Sequence, residues 1–71
     1  MTISLDPIDR EIIRTMLPLH RAVSPAQIAK TINIHPATAK SRMEILQLNK
    51  ILFAVKIGSR LKFLLNKSKV H

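Results

Sequence analysis

Two clusters of side chains in this chain could do chemistry, and in both the chemistry is that of a hydrogen-bond donor facing a polyanion. The first is "HPATAKSR", His35 to Arg42, where Lys40 and Arg42 sit among Ala37, Thr38 and Ser41. The second is "KIGSRLK", Lys56 to Lys62, where Lys56, Arg60 and Lys62 surround Gly58-Ser59. Lysine and arginine neutralise phosphate, and small or hydroxylated neighbours let a backbone come close to base edges. Other chemistries find little material. The 4 Asp+Glu make no persuasive carboxylate pair, and His20, His35 and His71 lack metal-ligand spacing. Ser24, Ser41, Ser59 and Ser68 have no His–Asp constellation, and a single glycine excludes a glycine-rich phosphate loop. No catalytic residue, metal or cofactor is expected, and the chain is not expected to be an enzyme.

The charge balance points the same way. Twelve Lys+Arg against 4 Asp+Glu give a net charge of +8, with a pI near 11.1. Three of the acids, Asp6, Asp9 and Glu11, lie near the N-terminus; from Ile12 onward Glu44 is the only acid. Such a surface attracts nucleic acid. With no Trp, no Tyr and 2 Phe, a base-stacking binder of single strands is disfavoured. Double-stranded DNA is therefore the expected partner. Phe53 and Phe63 are expected in the core. Without cysteine there is no disulfide framework. No run approaches the roughly 18 apolar residues of a membrane span, and no signal peptide is evident, so a cytoplasmic protein is expected.

The elements that must position these clusters can be read from local signals. Asp6-Pro7, Ser24-Pro25 and His35-Pro36 each place a capping side chain before a proline at the first helical position. They predict helices over about 7–17, over "PAQIAKTI", and from 36 to 48 or 49. In the first helix Ile8, Ile12, Met16 and Leu19 recur at helical spacing, with Ile13 and Leu17 widening the stripe. Pro18 should end it, and Asn33, tolerant of the left-handed conformation, should end the second. On the third, at about 100° per residue, Ala39, Met43 and Leu46 form an inward stripe. Ala37, Lys40, Ser41 and Glu44 face away, with Thr38 and Arg42 at the flank. Ile45 and Leu48 also lie outside that stripe, and are expected to pack under the first helix, the hairpin or a second subunit. "ILFAVKI" and "RLKFLL" about Gly58-Ser59 predict a hairpin with a type II′ or I′ turn, and "RAVS" could add a short strand. The expected class is α+β, mainly α: three helices followed by a β-hairpin wing over 1–66, then a basic, disordered tail over 67–71.

Residues 28–52, "IAKTINIHPATAKSRMEILQLNKIL", resemble the helix-turn-helix of winged-helix regulators of the Lrp/AsnC, MarR and ArsR type. Ile28-Ala29 match the apolar–Ala pair, Ile32 and Ile34 flank the turn, and Ala39, Met43 and Leu46 take the inward positions. The opening "LDPIDREII" is similar to Lrp-like first helices. The resemblance implies a sequence-specific DNA-binding regulator, with a repressor favoured and two copies expected on a two-part site. Ala37, Thr38, Lys40, Ser41 and Arg42 would face the major groove, beside His35 as cap or phosphate neighbour. Gly58-Ser59-Arg60 would be the wing tip, with Lys56 and Lys62 beside it, and Ser24 and Gln27 would touch the DNA backbone. Asn33 and Lys50 stand where these families often carry glycine, and His35 where they carry a serine cap. The entry to the first strand is therefore expected to differ. No Lrp-type effector domain is implied, so no small-molecule effector is expected. A protein-docking winged helix and a non-specific DNA-coating protein are the competing readings. Solvated lysines that guard a sheet edge account for Lys56 and Lys62 equally well.

Overall fold

The computed structural model of the chain describes residues 6–68. Three helices, α1 (Pro7–Met16), α2 (Pro25–Ile32) and α3 (Pro36–Leu48), precede an antiparallel hairpin of β1 (Leu52–Ile57) and β2 (Arg60–Leu65). This is an α+β fold of winged-helix-like topology. Leu5, part of the sequence similarity at the N-terminus, lies outside the described residues.

All three helix starts form where a cap precedes proline. The Asp6 carboxylate accepts from the Ile8 N–H at 3.0 Å, and Asp9 reaches back to the Asp6 N–H at 3.1 Å. Ser24 and Gln27 form the same reciprocal box, at 3.2 and 3.1 Å. Each box satisfies donors that a helix start leaves without partners. His35 caps α3 alone: its Nδ1 accepts from the Ala37 N–H at 3.1 Å. An accepting Nδ1 puts the imidazole proton on Nε2.

The helix ends are equally local. Pro18 follows the last turn of α1, and Leu17 is left 43% exposed instead of widening the buried stripe. Asn33 adopts the left-handed conformation at φ 58°, and the Ile34 N–H closes onto the Ala29 carbonyl at 2.9 Å. Lys50 does the same after α3, at φ 63°. The Lys50 N–H donates to Gln47 at 3.0 Å and the Ile51 N–H to Leu46 at 2.9 Å, a Schellman closure. Lysine thus takes the left-handed backbone shape a glycine would take. A side chain in this conformation is strained, so Lys50→Gly is expected to raise stability by about 0.5–1 kcal/mol, read as a higher urea midpoint with an unchanged slope.

The hairpin turns on Gly58, whose φ of 63° is positive while that of Ser59 is not. That pattern selects type II′ over I′. Val23 of "RAVS" joins as a one-residue bridge, exchanging bonds of 2.8 and 2.7 Å with Phe63. Register then decides which side chains enter the core. Leu52 pairs with Leu65 and Ala54 with Phe63 on the helix side; Phe53 pairs with Leu64, and Val55 with Lys62, on the other. Phe63 is buried among Ile12, Met16, Ile28, Met43 and Leu46. Phe53 is 48% exposed, correcting the expectation that both phenylalanines are core. Ile45 at 38% and Leu48 at 77% exposed are not buried under α1 or the hairpin. Asn66 fastens the end of β2, its amide nitrogen donating to the Lys50 carbonyl at 2.8 Å. Of the expected tail, Lys67 and Ser68 form a turn held by Asn66 (the Ser68 hydroxyl donates to Asn66 Oδ1 at 2.6 Å), and 69–71 lie outside the described residues. Among the described residues no helix is long and apolar enough to cross a membrane.

Candidate nucleic-acid interface

The seat of α3 is set by its inward stripe. Ala39 and Met43 are fully buried and Leu46 is 1% exposed. A small residue at 39 lets α3 approach its neighbours, and Met43 and Leu46 fill the space one and two turns on. The opposite face follows from helical geometry. Ala37, Thr38, Lys40 and Ser41 are all exposed, and Lys40 has no ion pair among the described residues. His35 is exposed at the helix start and presents the Nε2–H that its cap leaves over. His35, Thr38, Lys40 and Ser41 put side-chain donors on the exposed first half of α3, with the small Ala37 between them.

Arg42 is placed elsewhere. Its Nε donates to Asp9 Oδ1 at 2.9 Å and its Nη2 to Asp9 Oδ2 at 2.6 Å, a bidentate pair between α3 and α1. Asp9 is 1% exposed, and it also accepts from the Asp6 N–H. Burial alone would push the Asp9 carboxyl up; the Arg42 hydrogen bond, the Asp6 N–H and the Arg42 charge outweigh it and hold the group below its ordinary 3.8. Arg42 therefore joins α3 to α1, and its fork is occupied instead of turned outward with Lys40 and Ser41. Asp9 is the residue that sequence reasoning under-read. It was legible as a first-turn acid favoured by the helix dipole, but its partner is 33 residues away.

The hairpin divides the wing cations. Arg60 and Lys62 share the outer face with Val55 and Ile57, whereas Lys56 pairs with Leu61 on the helix side. Gly58, Ser59, Arg60 and Lys56 are exposed, and Lys62 is half-buried. Arg60 and Ser59 thus form the free tip, and Lys56 projects beyond the core on the side that carries α3.

On α2, Ser24 and Gln27 are engaged with each other in the capping box, and Gln27 remains exposed. Gln27 also borders an open cleft of about 330 Å³, together with Arg21 and Lys30, between the end of α1 and α2. The sequence singled out neither cation; only the turn of the chain through Arg21 brings them together. The remaining exposed ion pair, Arg14 with Glu11 at 3.2 Å, lies within α1 and contributes little. Among the described residues no three His, Asp or Glu side chains converge to hold a metal ion. Comparison with protein-family models, with curated proteins and with solved structures finds no match.

Proposed function

We propose that this chain is a winged helix-turn-helix protein that binds double-stranded DNA sequence-specifically and regulates transcription inside the cell, most simply as a repressor. The observation that carries the reading is the two-faced α3. One face is locked to the core by Ala39, Met43 and Leu46, and the other offers Ala37, Thr38, Lys40 and Ser41 beside a hairpin tipped by Arg60. Rigid seating with small, donor-bearing side chains outward is what major-groove entry needs. Phosphate contacts from Arg60, Lys56, Lys62 and the Gln27–Arg21–Lys30 surface would hold the register. The outward face of α3 would then read base edges. The module has no catalytic step in this reading, and two copies on a two-part site would supply the specificity that a single small module lacks.

Salt titration of affinity for duplex DNA tests the proposal. The logarithm of the binding constant should fall linearly with log salt, at about 0.9 per phosphate neutralised. A flat response contradicts it. The exposed Leu48, Ile45 and Phe53 favour a second reading, a winged helix that docks on a protein assembly. That reading predicts a partner retained at high salt and weak, sequence-blind affinity for DNA.

A further inference from the structure

Among the described residues the sheet edge at β2 is bridged only at Phe63, and the edge at β1 is bare. The strand order is β1-β2, and Val23 bridges to β2, so the outer edge of β1 has no strand beside it among the described residues. Which groups face that edge follows from the turn. In a two-residue hairpin the residues flanking the turn, Ile57 and Arg60, form a hydrogen-bonded pair, and such pairs alternate along the ladder. Val55 and Phe53 therefore point their backbone groups at β2, and Ala54 and Lys56 point theirs outward. Two observations agree with this parity. Ile51 accepts from Asn66 across the ladder at 2.8 Å, and Phe63, the partner of Ala54, turns its own N–H and C=O to Val23. Leu52 shares the outward parity but is 1% exposed and covered; Ala54 and Lys56 are exposed.

We infer that β1 pairs with β1 of a second copy, antiparallel about a two-fold axis through Val55. This register sets Ala54 opposite Lys56 of the second copy, and Lys56 opposite its Ala54. The two pairs use every accessible edge donor and acceptor. On the outer face the same register sets Phe53 against Ile57 of the second copy and Val55 against its counterpart. Phe53 is 48% and Ile57 55% exposed, and together they make the strand's large uncovered apolar surface. They fall at non-hydrogen-bonded positions, where opposed side chains come closest.

The segment 53–57 is thus its own complement in hydrogen bonding and in apolar contact. Charge permits the match. Each Lys56 faces a small alanine directly and the other Lys56 only diagonally, roughly 7–8 Å away, a repulsion that salt screens. Arg60 and Lys62 lie on β2, three strand spacings (about 14 Å) from their counterparts and beyond the Debye length at physiological salt. An acidic extended peptide is the other occupant that this edge could take, and it would not reproduce the Phe53–Ile57 and Val55–Val55 pairing.

The test is sedimentation of the full chain without DNA, from micromolar to millimolar concentration, at low and high salt. The mass should rise from 8.0 kDa towards twice that value, and more readily at high salt, because the copies carry like charge. DNA affinity has the opposite salt response, so failure of the dimer and failure of the DNA reading are separable. Ala54→Pro removes an outward N–H without touching the hairpin ladder, and should weaken dimerisation at least tenfold with an unchanged circular dichroism spectrum. Val55→Lys, which opposes two charges on the axis, should do the same and serves if the proline variant does not fold. A wild-type chain that stays at 8.0 kDa throughout overturns the inference. A folded Val55→Lys or Ala54→Pro chain that dimerises like wild type also overturns it.

Discussion

Arg42→Ala is expected to lower the melting temperature by on the order of 10 °C, a large effect for a half-buried residue on a helix. The substitution strands the Asp9 carboxylate, which is 1% exposed, with only the Asp6 N–H as partner. A buried charge without its counter-charge costs far more than the pair contributes net. Replacing both partners together, as Asp9→Leu with Arg42→Met, should recover much of the loss for the same reason. The pH dependence has a defined sign. The folded Asp9 carboxyl is held below 3.8, so its stabilisation is complete above that value and is lost as pH falls through the lowered one. In Arg42→Ala the stranded carboxyl gains from protonation, so the gap between the two chains should narrow in acid. Thermal melts of both chains between about pH 7 and 2 check this. Equal melting temperatures at pH 7 would show that the α1–α3 pair is not a structural tie.

The second large effect is on DNA. Lys40→Ala and Arg60→Ala are each expected to weaken duplex binding several-fold at moderate salt, and each to reduce the salt slope by about 1. They act at different places. Arg60 sits at the hairpin tip and in the proposed mode would contact phosphate or the minor groove, so its loss should weaken all duplexes alike. Lys40 lies on the outward face of α3 beside Ser41, so its loss should also relax sequence preference. Arg14→Ala, on α1 and already paired with Glu11, is the control and should change affinity little. If both variants bind a target duplex like wild type, α3 and the wing are not the reading surface.

Much of the fold was legible because its decisive signals are local. A capping side chain followed by proline marks each helix start, and Asn33 marks a turn because it tolerates a positive φ. Gly58-Ser59 marks the hairpin, and Ala39, Met43 and Leu46 mark the buried face of α3. The misreadings are those where a local signal had to be combined with a distant one. Arg42 counted among the outward donors because nothing within a turn of it reveals an acid on α1. Phe53 counted as core because apolarity was weighed without ladder parity; the register about Gly58 puts Phe53, Val55 and Ile57 on one face, and the core covers the other, where Leu52, Phe63 and Leu65 lie. The same parity separates Lys56 from Lys62.

The central claim is that the outward face of α3 reads bases in duplex DNA, and selection of bound duplexes from a random pool tests it most directly. A wild-type chain should enrich a defined motif, with two related half-sites if two copies bind. An Arg60→Ala chain should enrich the same motif more weakly, and a Lys40→Ala chain a degenerate one. A wild-type pool that remains random after repeated rounds, or a motif that Lys40→Ala leaves unchanged, would contradict the account.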